Sequence, residues 1–521
     1  MTRLLVIAAT LVVLASTAAR AEGERDAVAR FLTTLAETVD GEVSWEALEE
    51  ERTASGTDVV IRDLRVGATA ASLPLTADEI TLAEVAVAQD GSVGAVAEIR
   101  ILGLTVPVQG AVEETGTLSG TVRVAEFRVE DPAEDTLPQL FAWHQDAGAD
   151  MLLAGLVFPW DVGAVEATAI SADLELLVAA PHTASGVEER HQVTTTIAAY
   201  SATDIADHTV GSVTIDRLST QTILGDGSRS SMDIARIAMA DIDVSRSIRE
   251  IEAHGDDADL LALVFGFRVG EAEVLDTRIV DRWIISTSKR GWWRHVTSVD
   301  APRAGRIEFG SERMAWTPAP GNPFKVLFQG QFGGDGSVVS FGETRVDYDL
   351  ERRRVSTDYG WTVEGLITIE GDGGLADLPR LPLATLGQRL EAGGSAAGAG
   401  PRSGLGGPAV LDQWRVALTD LGLRELGFSI AAMFMEPPQT SDQVREMAAG
   451  MLAAMAFGID PARQPLTAQA FAAAHAFLAS GGRLTVSTDR PVPLIGDAVE
   501  AEPGLDLFDT YQIVVQHRPE E

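Results

Sequence analysis

The chain has 521 residues, 45% of them hydrophobic, no cysteine and a formal net charge of −37. An acid surplus of that size repels phosphate backbones and excludes nucleic acid as a partner, and the missing cysteine excludes disulfides, thiolate metal sites and a lipid-modified N-terminal Cys. Length alone sets about three to four domains, with ample apolar material for buried cores.

Met1-Thr2-Arg3 places one positive charge ahead of an apolar run from Leu4 to Ala15, and Ala19-Arg20-Ala21 offers the small residues that a signal peptidase reads. Residues 1–21 are expected to be a removed secretion signal, which makes the mature protein periplasmic. An uncleaved anchor is the alternative, although the run is shorter than the ~20 apolar residues of a membrane span. Loss of Arg3 and Arg20 takes the formal charge from −37 to −39.

Val28, Phe31, Leu32, Leu35 and Val39 share one helical face and predict a lead-in helix. The β-branched segments 59–66, 80–87, 96–106 and 117–129 predict strands, with Asp90-Gly91 as a hairpin turn, and 137–157 predicts a helical interruption. A second unit repeats this order: strands at 165–178, 193–200, 210–224 and 232–244, a hairpin at Asp226-Gly227, and a helical stretch over 248–265. The third has strands at 280–286, 292–299, 306–316, 324–332, 338–350 and 361–369, with its clearest hairpin at Asp335-Gly336. Residues 393–408, rich in Gly, Ala and Pro, read as a linker.

Beyond the linker, 414–418 and 426–434 predict strands, followed by two helices. Val444, Met447, Met451, Leu452 and Met455 form an apolar stripe after a Thr440-x-x-Gln443 capping box, expected as helix core, with a yielding apolar pocket as the alternative. Phe471, Ala474 and Leu478 form a second stripe after Thr467, stopped by Gly481. Strands at 483–487 and 505–515 close the chain.

Tight turns pair neighbouring strands antiparallel. The expected fold is therefore β-rich α+β: repeated antiparallel meanders forming an extended curved sheet, with interrupting helices and a C-terminal α+β module. The expected divisions are 1–21, 22–158, 159–267, 268–392, 393–408 and 409–521. An internal repeat supports them. Leu156-Val157-Phe158-Pro159-Trp160-Asp161-Val162-Gly163 and Leu263-Val264-Phe265-Gly266-Phe267-Arg268-Val269-Gly270 share one frame, 107 residues apart.

No cofactor or metal motif and no catalytic signature occurs. The eight histidines are never three or four apart, and there is no His-Glu-x-x-His, Gly-x-Ser-x-Gly or P-loop. The densest acidic clusters, 254–259 and 370–373, are expected in loops as solvated turns or helix N-terminal charge, and neither has the order of a calcium loop. The distinctive feature is a basic, aromatic stretch between Arg282 and Arg306. It carries Arg282, Lys289, Arg290, Arg294, Arg303 and Arg306 against the single acid Asp300, interleaved with Trp283, Trp292 and Trp293, with 286–291 expected as a hairpin tip. Such a composition suits a lipid headgroup boundary or a protein hot spot. Equally, Trp283 and Ile285 pack inward while the arginines pair with surplus acid.

The segment from Val346-Asp347-Tyr348-Asp349-Leu350 to Leu366-Ile367-Thr368-Ile369-Glu370 resembles the strand texture of AsmA-like and YdgA-type bacterial envelope proteins. The resemblance spans about residues 57–370 and implies a periplasmic protein with an apolar concave groove, which in some members moves or holds lipid. The chain departs from that group in lacking a firm membrane anchor and in being shorter than its bridge-forming members. The leading expectation is a non-enzymatic envelope protein that binds lipid or another amphiphile along its sheet, with Arg282, Trp283, Lys289, Arg290, Trp292, Trp293 and Arg294 as the contact. The alternatives are an assembly module that binds an envelope protein, and an envelope hydrolase with dispersed carboxylates.

Overall fold

A computed structural model describes residues 23–38, 42–68, 75–88, 93–112, 116–132, 161–179, 188–206, 208–297, 303–384, 410–437, 439–488, 490–493 and 507–519. The expected signal, the helical stretch 137–157, the Asp90-Gly91 turn and the linker lie outside the described residues. The chain divides into two compact units, Met1–Ile248 with Phe267–Arg282, and Arg249–Gly266 with Trp283–Glu521.

The first unit opens with helix α1 (Glu24–Thr38) and strands β1 (Glu42–Ser44), β2 (Ala47–Arg52), β3 (Thr57–Ala68) and β4 (Leu75–Ala83). A small hairpin, β5 (Ala86–Val87) and β6 (Val93–Ala95), precedes the long strands β7 (Glu98–Val112) and β8 (Gly116–Glu130). Then come β9 (Val162–Ala179), β10 (Glu188–Ala206), β11 (Thr209–Ile223), β12 (Arg229–Asp243) and β13 (Arg268–Val280). From β3 onward, leaving aside the β5–β6 hairpin, each strand pairs antiparallel with the next. Asp226-Gly227 turns the chain between β11 and β12, with Gly227 at φ 79° as such a turn requires.

These strands do not alternate simply. Their inward positions are spaced three, two, three: Val162, Val165, Ala167 and Ile170 on β9; Ile205, Ala202, Tyr200 and Ile197 on β10; Val210, Val213, Ile215 and Leu218 on β11; Ile242, Met239, Ile237 and Ile234 on β12. The register joins them into rows across the sheet. One row runs Ile61, Ile80, Ile101, Phe127, Ala167, Tyr200, Ile215, Ile237 and Val274. The next, three residues on, pairs Leu64 with Ala77 and runs from Leu104 through Val124, Ile170, Ile197, Leu218 and Ile234 to Thr277.

Each three-residue step coincides with a residue in the left-handed region on every second strand. One line of them is Asp63, Gly103, Ala169, Arg217 and Asp276, with φ between 46° and 63°. The other is Glu84, Asp131, Asp204 and Asp241, with φ between 48° and 54°. The extra residue shifts the phase of the pleat, so the same face stays apolar on both sides of the line. Short polar side chains tolerate this conformation best. On the second line the intervening strands carry Gly163, Gly211 and Gly270, because a Cβ there would approach Asp131, Asp204 and Asp241 to 3.2, 2.8 and 2.7 Å. The 107-residue frame is therefore two of three Val-Gly steps on one line, Val162-Gly163, Val210-Gly211 and Val269-Gly270. Val264 and Phe265, from the frame's second copy, lie in a helix.

The core of this unit lies under β3, β4, β7 and β8, where Val28 and Leu32 of α1 meet Val59, Ile61, Leu64, Ile80, Ile99, Ile101 and Leu104. Each buried Ile or Leu contributes about 1.5–3 kcal/mol. The opposite face is ionic: Arg100 pairs with Glu126 at 2.7 Å, Arg128 with Glu98 at 2.7 Å, and Arg123 with Asp173 at 2.9 Å.

In the second unit, the helical stretch expected over 248–265 is present as α2 (Ser245–His254, beginning in the first unit), a single 3₁₀ turn and α3 (Leu260–Gly266). Strands β14 (Ile284–Thr297), β15 (Ala304–Pro318), β16 (Val338–Asp349), β17 (Arg354–Val363), β18 (Ile367–Ala376) and β19 (Val410–Asp420) form an antiparallel meander. It is extended by β20 (Arg483–Thr488), β21 (Val492–Pro493) and β22 (Ile513–Arg518). Aromatic rings cover glycines across its strands, Trp361 over Gly342, Tyr359 over Gly371 and Trp414 over Gly373. The meander and its helices make the fold β-rich α+β, as expected.

Several local expectations are corrected. Residues 324–332 form helix α4 (Lys325–Phe332), in which Leu327, Phe328 and Phe332 pack on Val338, Leu366 and Ile367. Asn322 Oδ1 accepts the Phe324 amide at 2.7 Å and starts the turn. Residues 426–434 belong to helix α5 (Leu423–Met433), because Asp420 Oδ1 accepts the amides of Gly422 and Arg424, both at 3.1 Å. Asp335-Gly336 links α4 to β16 and makes no strand hairpin, residues 280–286 span the break between β13 and β14, and 361–369 spans the turn between β17 and β18.

Helix α6 (Ser441–Ala456) begins with the expected Thr440/Gln443 capping box. Helix α7 (Pro465–Ser480) turns Thr467, Ala470 and Ala473 inward in place of the Phe471 stripe. Its first turn is held by Asp509 of α8 (Leu507–Thr510), whose carboxylate accepts the amides of Leu466 and Thr467 at 3.0 Å and the Thr467 hydroxyl at 2.7 Å.

Candidate functional site

The apolar rows change character along the first unit. Val28 and Leu32 of α1, with Val87 and Val93 of the β5–β6 hairpin, close over the β3–β8 end. Toward β13 the same rows become half-exposed: Ile215, Leu218, Ile234, Ile237, Met239 and Val274 are none of them buried. Past the first left-handed line the rows continue as Leu174, Val193 and Thr222, and as Ala172, Thr195, Thr220, Met232 and Ile279.

This field presents Ile170, Leu174, Val193, Ile197, Leu218, Met232 and Ile234 without an ionisable side chain among them. Its polar groups are hydroxyls; Thr195 and Thr220 bond each other at 3.2 Å. An alkyl or ring system gains from laying apolar surface on such a face, at about 25 cal/mol per Å² removed from water. The alternating three-two spacing concealed the field in the sequence, since neither a period of 2 nor one of 3.6 reports it.

The basic stretch is not a hairpin tip. Residues 286–291 run through the middle of β14 because the strand pairs with β15 from Ile284 to Thr297. Its arginines meet carboxylates: Arg290 with Glu312 at 2.7 Å, and Arg306 with Asp347 at 2.6 Å. Arg294 stands opposite Glu308, which stands opposite Arg345, so charges of alternating sign cross the sheet. Lys289 is exposed. Trp292 lies over Gly310, and Trp293 on the other face stacks with Phe309 at 5.7 Å. Next to it His295 is buried, with Nε2 2.7 Å from Tyr348 Oη, and Phe265 of α3 stacks on Tyr348 at 4.4 Å. Trp283 remains 43% exposed, while its carbonyl accepts the Ala319 amide at 2.9 Å. Arg282, in the first unit, lies 3.9 Å from Asp226.

The acidic clusters are also placed. Asp259 is buried and paired with Arg353 at 2.6 Å. Burial opposes its charge, but the guanidinium of Arg353 and the amides of Leu381 and Leu261 hold its carboxyl below the usual range. Residues 370–373 lie in strand β18 and not in a loop, because each pairs with β17. Glu370 bonds Arg483 at 2.8 Å. Together with Glu343, Asp358, Asp372 and Arg415 they line a groove of about 310 Å³ on the polar face of the second unit. Among the described residues no group of three His, Asp or Glu side chains is placed to hold a metal ion.

The methionine stripe of α6 departs most from expectation. Only Val444 is buried, whereas Met447, Met451 and Met455 are exposed, so the stripe is neither core nor the lining of a closed pocket. Arg445 near the start of α6 reaches Glu425 of α5 at 3.4 Å.

No protein-family model matches the chain, and no curated protein matches it.

Proposed function

We propose that the protein is a non-enzymatic envelope protein that binds lipid or another amphiphile along the apolar face of its first unit, after export to the periplasm, in the manner of the AsmA-like proteins that its strand texture resembles. One observation carries the reading: rows of aliphatic side chains that are buried at the β3–β8 end, and at Val165, Ala167, Ala202 and Val210 beyond it, become half-exposed toward β13 and stay free of charge. Exposed apolar fields of this continuity mark ligand or partner surfaces in folded proteins. The salt-bridged arginines of β14 and β15 contribute less to this reading than composition suggests, because a paired guanidinium must give up its carboxylate before it engages a headgroup phosphate.

The test is titration of an environment-sensitive fluorescent fatty acid against the wild-type protein and the Met232→Glu/Ile234→Glu variant. Two carboxylates in the field are expected to weaken binding by at least ~10-fold, the desolvation cost of buried charge being several kcal/mol. Unchanged affinity refutes the sheet-face site, and a stoichiometric envelope protein recovered without lipid moves the function to assembly.

A further inference from the structure

Residues 447–459, Met-Ala-Ala-Gly-Met-Leu-Ala-Ala-Met-Ala-Phe-Gly-Ile, contain no charged or hydrogen-bonding side chain. They form the second half of α6 and the turn after it. In an acidic chain such a run belongs in a core, yet here it is mostly outside one. Phe457 is 95% exposed, Met451 62% and Met455 53%. Gly450, Ala453, Ala454 and Gly458 are exposed too, while Leu452 and Ala456 are half-buried. At 100° per residue the exposed positions span an arc of about 200° around the helix.

The shape of that surface selects its occupant. A helix that docks on a protein buries a stripe about 100° wide and leaves the rest polar. This segment is apolar over roughly twice that arc and ends on a projecting phenylalanine, so it is convex and offers a protein partner neither a groove nor a hydrogen bond. A second copy would bring another formal charge of −37 to the contact. Hydrocarbon, by contrast, solvates a convex apolar arc on all sides and asks for no directional partner. The charges beside the segment are set at its two ends: Arg445 pairs with Asp442, Asp460 lies 3.6 Å from Arg463, and the exposed Glu446 leaves one net negative charge. A rim of that sign disfavours an anionic surface and leaves a zwitterionic bilayer as the match.

We infer that the α6 tip, with Met447, Met451, Met455 and Phe457 as its contacts, is a monotopic membrane-docking element that inserts into the interface of a zwitterionic lipid bilayer. It lies in the second unit and does not depend on the sheet face of the first. Insertion depth is shallow, since the uncharged helical part is only about 15 Å long.

The experiment is flotation of the full chain with phosphatidylcholine vesicles, alongside light scattering without lipid. Wild type is expected to be monomeric and to float. The Met451→Asp/Phe457→Asp variant is expected to lose at least ~10-fold in partitioning, with an unchanged melting temperature because both side chains are already in water. The Met232→Glu/Ile234→Glu variant should float as wild type does, which separates docking from binding on the sheet. Absence of wild-type flotation overturns the inference, as does equal flotation of the α6 variant. An oligomer that the α6 variant converts to monomer overturns it in favour of self-association.

Discussion

The left-handed lines make a prediction that only their cross-strand geometry supports. On the second line Asp204 and Gly211 face each other, and a Cβ at Gly211 would sit 2.8 Å from both Cβ and Oδ2 of Asp204. Gly211→Ala is therefore expected to cost about 1–3 kcal/mol, the usual penalty for overpacking a site that cannot relax. Asp204→Gly alone should change stability by no more than about 1 kcal/mol, because relief of φ 54° offsets the greater chain entropy of glycine. In the double variant the clash is gone, because position 204 no longer carries the Cβ and carboxylate that the new methyl would meet. It should recover at least about 1 kcal/mol of the alanine's cost, a coupling within the range seen for contacting residues. Urea denaturation followed by circular dichroism measures all four corners of the cycle. A neutral Gly211→Ala, or costs that simply add, would refute the account of the lines.

Two further outcomes follow from packing and charge. Ile101→Ala removes a fully buried side chain from the central row and should cost about 2–5 kcal/mol by the same denaturation assay. Asp509→Asn should destabilise by about 1 kcal/mol at neutral pH, as loss of a cap does. Burial works against the charge of Asp509, but the Thr467 hydroxyl and two amides hold its carboxyl below the usual range. A depressed folded-state value stabilises above the unfolded pKa and is lost as pH falls through the folded one. The wild type's advantage over the variant should therefore shrink below about pH 4. Thermal melts of both proteins across that range measure it, and a constant difference would contradict the cap.

Strand order and antiparallel pairing were legible because β-branched runs between tight turns leave few other choices, as in 165–178, 210–224 and 338–350. The helical stretch over 248–265 was legible as a break between strand runs, although its division at Gly255–Asp257 was not. Two helices were misread as strands for a shared reason: Lys325–Phe332 and Leu423–Met433 are rich in Leu, Phe and Ile, and their N-terminal turns are held by Asn322 and Asp420, which precede the apolar run by several residues. The apolar field was hidden by its three-two-three spacing, although that pattern is written plainly in Val210-x-x-Val213-x-Ile215-x-x-Leu218 once the pairing is known. The basic stretch stands out in composition because composition counts cations without showing that Glu312, Asp347 and Glu308 come from neighbouring strands. In α6 the methionines are legible as a stripe, but a stripe alone does not record whether a neighbouring element covers it, and Met447, Met451 and Met455 are exposed.

The most direct test of the proposed function is mass spectrometry of organic extracts from the protein purified from its native envelope without detergent. The half-exposed rows of β9 to β13 predict an amphiphile at near-stoichiometric level, reduced in the Met232→Glu/Ile234→Glu variant. An extract empty of amphiphile from both proteins would contradict the reading.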